Sequence, residues 1–487
     1  MDALGATVRL RSTKGRWVVL ATVLGSSLAM LDATVVNIAL PRIGEDLDTD
    51  VAGLQWVLSG YTLTLASLIL LAGALGDRLG RRKVFIWGTV WFAASSLLCG
   101  LAPSIELLVL ARILQGVGAA LLTPGSLALL SAAIDPDDRG AAIGLWSGLG
   151  GVAGAIGPLL GGWIVEVSSW RMVFLINLPL AVAVVWVAAR HVPESRDPHA
   201  HGRLDLLGAA LAALALGALT YGLIGGRWAP VVLGLLLFAA FVVVERRSDN
   251  PLVPPFLFRS RVFVAANLVT LAVYAALGGV FFLLVLQLQL AAGYSPLAAG
   301  LATLPITALM LVLSSRAGRF AQHHGPRVLM TVGPLLAATG LLLMLRIGPG
   351  ASYLTDVLPG VIVFGLGLSA LVAPLTAAVL TSVSTDRAGI ASGVNNAVAR
   401  SSQLLAVAAL PGLAGIAGAD FADPDVFSHG FGVAMLICAG LLVLGAVIAA
   451  AMIPAGVAEV VDEESVACRP HCDISAPAVQ PESATGP

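Results

Sequence analysis

Long stretches without charge recur along the chain, separated by short segments that carry most of the Arg, Lys, Asp and Glu. Leu54 to Gly76, Val84 to Ile105, Ile113 to Ile134, Gly140 to Val165, Met172 to Ala189, Leu206 to Gly226, Trp228 to Val244, Val328 to Leu345, Val357 to Thr385 and Gly430 to Ala458 each lack all four residue types. Val262 to Ser315 is long enough for two such stretches and breaks at Gly293-Tyr294-Ser295-Pro296. Two more carry a single charge each, Asp32 within Trp17 to Leu40 and Arg400 within Ala388 to Pro411. A helix needs about 20 apolar residues to cross roughly 30 Å of hydrocarbon, so the pattern predicts fourteen transmembrane helices. The ten-residue alternating segments of a membrane β-barrel do not occur. Because backbone groups in lipid must be satisfied internally, the predicted fold class is an all-α integral membrane bundle.

The distribution of positive charge sets the expected orientation. With the amino terminus placed in the cytoplasm, 21 of the 27 Lys and Arg fall in cytoplasmic segments, and four, Arg42, Arg171, Arg227 and Arg346, fall outside. The other two, Arg112 and Arg400, lie within spans. One missed helix would scramble this alternation, so the split supports both the count and cytoplasmic termini. Overall, 58% of residues are hydrophobic and 11% charged, against about a quarter charged in soluble domains; soluble architectures are excluded. A net charge of −1 with no basic stripe outside the loops excludes a nucleic-acid role.

The basic start is followed by an apolar run that is too long for a signal peptide and continues through Asp32 into a patterned segment, so it reads as an uncleaved first helix. Cys99 and Cys438 read as small apolar helix residues. Cys468 and Cys472, with His471, lie in a tail rich in Pro, Ser and acids; fewer than four ligands are in view there, so no metal is expected and the tail reads as disordered.

The chain repeats itself. Gly73, Gly80 and Arg82 after the second span recur as Gly318, Gly325 and Arg327 after the tenth, an offset of 245. Gly157-Pro158 to Gly162 in the fifth span is echoed by Pro411-Gly412-Leu413-Ala414-Gly415. The expected organisation is a cytoplasmic segment 1–16, a six-helix half 17–190, a linker and inserted helix pair 191–248, a second half 249–455 and a cytoplasmic tail 456–487. Duplicated halves with a site between them are a common build of secondary transporters.

Five ordered motifs resemble the major facilitator superfamily and, within it, the fourteen-helix drug:proton antiporters. They are Leu31-Asp32-Ala33-Thr34 through Asn37 to Pro41, Gly73 through Asp77-Arg78 and Gly80-Arg81-Arg82 to Lys83, and Leu110-Ala111-Arg112 through Gln115-Gly116 to Gly118. The remaining two are Gly144 through Gly157-Pro158 to Gly161-Gly162, and Trp170-Arg171 through Phe174 and Asn177 to Pro179. The chain departs from the family's pattern at Ala153, at Gln322 and at Ser401-Ser402-Gln403. The resemblance implies a proton-coupled exporter of lipophilic, often cationic drugs in a bacterial cytoplasmic membrane. It would be powered by the proton gradient, without a cofactor, and monomeric.

Ionisable residues within a span mark candidate function. Asp32 and Arg112 each stand eight residues from the outer end of their spans, about 12 Å deep at 1.5 Å per residue, and equal depth makes them a pair. Asp32 is the expected proton-coupling carboxylate, with a static structural pair as the other reading. Arg400 falls near the midplane with no acid at that depth; it either meets an anionic or carbonyl-bearing substrate in a cavity or caps a neighbour's carbonyls. Gln55, Tyr61, Gln115, Trp146, Asn177, Asn267, Tyr274, Phe281, Phe282, Gln287, Asn395 and Asn396 are candidate cavity residues, each also explicable as packing or as an interfacial anchor. Gly73, Asp77, Arg78, Gly80, Arg81 and Arg82 would form a conformational latch. Gly144, Gly157, Pro158, Gly161 and Gly162 would give a smooth sealing face. No phosphate loop, HExxH or Gly-x-Ser-x-Gly motif appears, so no enzyme is expected. Two other functions fit the same pattern, a dedicated exporter of one natural product or lipid and a non-transporting membrane sensor or scaffold.

Overall fold

A computed structural model describes residues 8–196, 204–248, 250–384, 387–416, 418 and 423–456. Arg203, Arg469 and the Cys468, His471, Cys472 cluster lie outside the described residues.

Among those residues the chain is helical. The first half comprises α1 (Thr13–Asp46), α2 (Val51–Leu79), α3 (Arg81–Gly100), α4 (Ile105–Ala133), α5 (Pro136–Val167) and α6 (Trp170–His191). Then come α7 (Leu206–Ile224) and α8 (Trp228–Arg247). The second half comprises α9 (Arg261–Ala291), α10 (Pro296–His324), α11 (Arg327–Met344), α12 (Tyr353–Thr381), α13 (Ala388–Leu413) and α14 (Pro424–Met452). Thirteen of these are long and apolar enough to cross a membrane by length and composition. The fourteenth, α13, is long enough but carries Ser392, Asn395, Asn396, Arg400, Ser401, Ser402 and Gln403.

Local chemistry sets the boundaries. Ser12, Asp50, Asp205, Ser260, Ser295 and Asp423 cap helix starts by accepting backbone N–H groups that have no intrahelical partner. The turns joining α2 to α3 and α10 to α11 each need a residue at positive φ, supplied by Gly80 (φ 115°) and Gly325 (φ 81°). These are the repeat-related glycines of the sequence, and the likeness extends to their surroundings. A side chain at Gly80 would strike the Glu194 carboxyl group beyond α6, and one at Gly325 would strike Ala455 and Gly456 beyond α14.

Packing repeats as well. In the first half α1 packs on α5 and α6, and α4 on α2 and α3; in the second, α9 packs on α13 and α14, and α12 on α10 and α11. The halves meet along two seams, α5 with α10 and α2 with α13. The inserted α7 lies against the second seam, touching both α2 and α13, while α8 packs on α7. Only 11% of the apolar window of α8 is buried, which leaves Trp228, Leu235, Leu236 and Phe238 exposed as a lipid-facing surface. The buried Glu245 ties the end of α8 to the segment before α9 by accepting the Val253 N–H at 2.9 Å.

Candidate functional site

The repeat places a cavity of ≈ 1820 Å³ between the halves, walled by α1, α2, α4, α5, α9, α10, α12 and α13. It reaches Gly76, Asp77, Arg78, Arg81 and Arg139 and is therefore open at the end of the bundle that carries the basic α2–α3 turn. The opposite end is closed. There Gln289 donates to the Ile38 carbonyl at 3.0 Å, Gln55 to the Val407 carbonyl at 2.6 Å, and Ser295 to the Glu166 carboxylate at 2.7 Å.

Glycine makes that closure tight. A side chain at Gly157 would strike Thr34 and one at Gly161 would meet Val35, so α5 lies directly on α1. A Cβ at Gly162 would sit 2.6 Å from the Pro296 carbonyl oxygen and 2.7 Å from Leu297 Cα, and one at Gly300 would strike the Pro158 carbonyl. Backbone meets backbone across the seam of α5 and α10, an approach that small residues permit. Gly144 lies apart from this face, with open space around it.

Asp32 and Arg112 meet beside the cavity, both 1% exposed. Arg112 Nη1 donates to Asp32 Oδ2 at 2.6 Å. Asp32 Oδ1 accepts from Gln115 Nε2 at 2.8 Å and from Asn177 Nδ2 at 2.9 Å. Ser96 accepts from both amides, and Arg112 Nε donates to the Val57 carbonyl at 3.0 Å. The guanidinium also lies over the Tyr61 ring, 4.3 Å from its centroid, and forms part of the cavity wall. A buried ion pair is sustained only when its remaining donors and acceptors are met, and this network from α1, α2, α3, α4 and α6 meets them. Ser96 is the member that sequence reasoning missed; the Ser95-Ser96 pair in an apolar helix gives no periodic signal.

The remaining candidates divide. Tyr61, Trp146, Tyr274, Phe281, Phe282, Asn396 and Arg400 line the cavity. Gln55, Gln115, Asn177, Asn267, Gln287 and Asn395 lie outside its lining, because interhelical bonds consume their amides. Gln55 bridges α2 to α13; Gln115 and Asn177 serve Asp32. Gln287 donates to the Ile347 carbonyl at 2.8 Å, and Asn395 donates to Asn267 and Thr270 on α9 at 3.1 and 2.8 Å. Trp146 donates to Ser26 at 3.1 Å.

At the open end Asp77 of α2 pairs with Arg81 of α3 across the Gly80 turn at 2.8 Å. Arg82 donates to the Val192 carbonyl at 3.0 Å and its backbone N–H to Glu194 at 3.0 Å. Arg78 faces the cavity mouth. Arg400 donates to Gln403 at 3.2 Å. Trp17 and Trp56 pack on His191 and Tyr221 respectively.

The model of the Major Facilitator Superfamily matches residues 22–205 and 204–407. The chain is 37% identical over 388 residues to the multidrug resistance protein Stp of Mycobacterium tuberculosis, covering 78% of this chain and 72% of that one. It is 36% identical over 456 residues to the puromycin resistance protein pur8 of Streptomyces alboniger, covering 89% and 90%. Among solved structures it resembles a D-xylose-proton symporter with a TM-score of 0.65 at 17% identity, covering 90% of this chain and 98% of that one.

Proposed function

The chain belongs to the Major Facilitator Superfamily, and on that premise we propose that this multi-pass transporter is a proton-coupled exporter of lipophilic small molecules, working by alternating access. The observation that carries the reading is the Asp32–Arg112 pair, an ionisable couple held within the membrane-spanning part of the bundle at the wall of a cavity open at one end. Protonation of Asp32 removes the charge that Arg112 and the two amides were arranged to meet, so the network relaxes and Arg112 is released toward the cavity. A proton entering from one side thereby changes the wall that a substrate contacts. With the basic end cytoplasmic by the positive-inside rule, the conformation is open to the cytoplasm, ready to load. In this conformation the Gly157 to Gly162 face keeps the outer end shut to proton leak; when the outer end opens in turn, Asp77, Arg78 and their turn act as the latch that closes the cytoplasmic end.

The drug-resistance relatives support export of small molecules. The proton gradient serves as the energy source and the transporter acts as a monomer in a bacterial cytoplasmic membrane. The test uses everted vesicles energised to a proton gradient and offered ethidium together with neutral and acidic aromatic dyes. Wild type accumulates at least one of them, an uncoupler abolishes the accumulation, and Asp32→Asn shows none. Gradient-driven accumulation in Asp32→Asn would overturn the coupling role.

A further inference from the structure

We propose that Arg400 is the recognition point for an acidic group on a flat, lipophilic substrate, an aromatic or polycyclic carboxylate or phenolate. The proposal rests on the reading of the central cavity as the substrate site.

The charge balance of the wall gives the sign. Arg112 faces Asp32, and Asp77 faces Arg81, so both of those cations are compensated, while Arg78 and Arg139 stand at the open mouth. Asp205, the other acid of the wall, stands at the start of α7, where its Oδ1 accepts the Gly208 N–H at 2.7 Å. Arg400 has no such counter-ion: among the described residues its side-chain partner is the neutral amide of Gln403. Among the described residues it caps no carbonyl of a neighbouring helix either. A guanidinium has five N–H donors, and one contact to Gln403 leaves a fork free to grip a planar acid through two oxygens. A substrate cation at the same level would meet an uncompensated positive charge.

The surrounding wall supplies the rest of the ligand's outline. Ser392, Asn396, Arg400 and Gln403 fall on one stripe of α13 and all line the cavity, a polar track leading inward from the open end. On α1 and α2, Asn37 Oδ1 and Ser59 Oγ are shielded from water and have no hydrogen-bond partner among the described residues, although both residues line the cavity. Ser59 can donate to an oxyanion, and Asn37 Oδ1 can accept from a substrate hydroxyl. On α9, Tyr274 and Phe281 present ring surfaces to the same space. The complement of that wall is a ring system bearing an acid at one edge and a hydroxyl at another.

The test is binding to the purified full-length protein in uncharged detergent. The probes are anthracene-9-carboxylate, its methyl ester and 9-(aminomethyl)anthracene, which share the ring and differ in charge. A charge-assisted hydrogen-bonded contact corresponds to about tenfold to a hundredfold in affinity, so the carboxylate should bind at least about tenfold more tightly than the ester at low salt. The advantage should shrink as salt screens the solvated cavity. Arg400→Gln should lose the advantage while still binding the ester, which also reports that it is folded; Arg400→Lys should keep a reduced preference for the acid. Equal affinity for acid and ester, tighter binding of the amine, or an advantage that survives Arg400→Gln each overturns the proposal. So does loss of the preference in an Arg400→Lys protein that still binds the ester. An acidic lipid headgroup offers similar chemistry, and stronger competition by phosphatidylglycerol than by a second aromatic acid would overturn the assignment to a ring-bearing acid. The measurement needs no gradient, so failure of the export reading and failure of this one are separate results.

Discussion

Asp32 and Arg112, eighty residues apart in sequence, meet at 2.6 Å with both side chains almost wholly buried. Removing one partner of such a pair leaves an uncompensated buried charge, at a cost of about 3–5 kcal/mol. Asp32→Asn should therefore lower thermal stability markedly as well as abolish gradient-driven efflux. The double substitution Asp32→Asn with Arg112→Gln should recover much of the stability and none of the efflux. Melting curves and vesicle transport on the same preparations separate structural from coupling roles, and efflux restored in the double variant would make the pair merely structural.

The sealed end can be forced apart from a single position. At Gly162 any side chain meets the backbone at Pro296 and Leu297, which has no rotamer by which to yield. Gly162→Leu should give a folded protein that fails to export, and proteoliposomes containing it should lose an imposed pH gradient faster than those with wild type. At Gly144, where nothing stands in the way, Ala should be tolerated in both assays.

Two substitutions at the α2–α3 turn should act in opposite ways. Gly80→Ala sets a non-glycine residue at φ 115° against the Glu194 carboxyl group, strain of order 1–3 kcal/mol that a melting curve will register. The Asp77–Arg81 pair is partly exposed, and such pairs contribute about 0–1 kcal/mol. Asp77→Ala should thus leave stability nearly unchanged while export falls, because its role as a latch belongs to the closed state of that end.

Neighbouring asparagines on α13 give a test of the cavity and of orientation together. Asn396 lines the cavity, whereas Asn395 is held by Asn267 and Thr270. In a background with Cys468 and Cys472 replaced by Ser, Asn396→Cys should react with a membrane-impermeant thiol reagent in everted vesicles, and Asn395→Cys should not. Reaction of Asn396→Cys in right-side-out cells alone would reverse the orientation.

Much of the architecture was legible because charge-free runs of membrane length report helices directly. The Asp32–Arg112 contact followed from equal depth in two spans. Which amides face the cavity did not follow: Asn395 and Asn396 are adjacent, and only helix rotation, set by packing against α9, decides that one bonds across the interface and the other opens to solvent. Ser96 and Glu194 were invisible for a related reason, since each acts by meeting partners far away in sequence. The repeat was readable at Gly80 and Gly325, where backbone geometry admits little but glycine. It was not readable in the helices themselves, where many apolar side chains satisfy the same packing.

The polarity of α13 has a consequence for assembly. A helix with Arg near its middle is disfavoured from entering lipid alone, by roughly 2.5–3.5 kcal/mol for that residue at the centre, and this one adds two Asn, a Gln and several Ser. Its partners α2, α7 and α9 all precede it in the chain, so a prepared groove with its own hydrogen-bonding groups is in place before α13 is synthesised. The inserted pair contributes to that berth: α7 is one wall beside the helix that, among the described spans, is least suited to lipid.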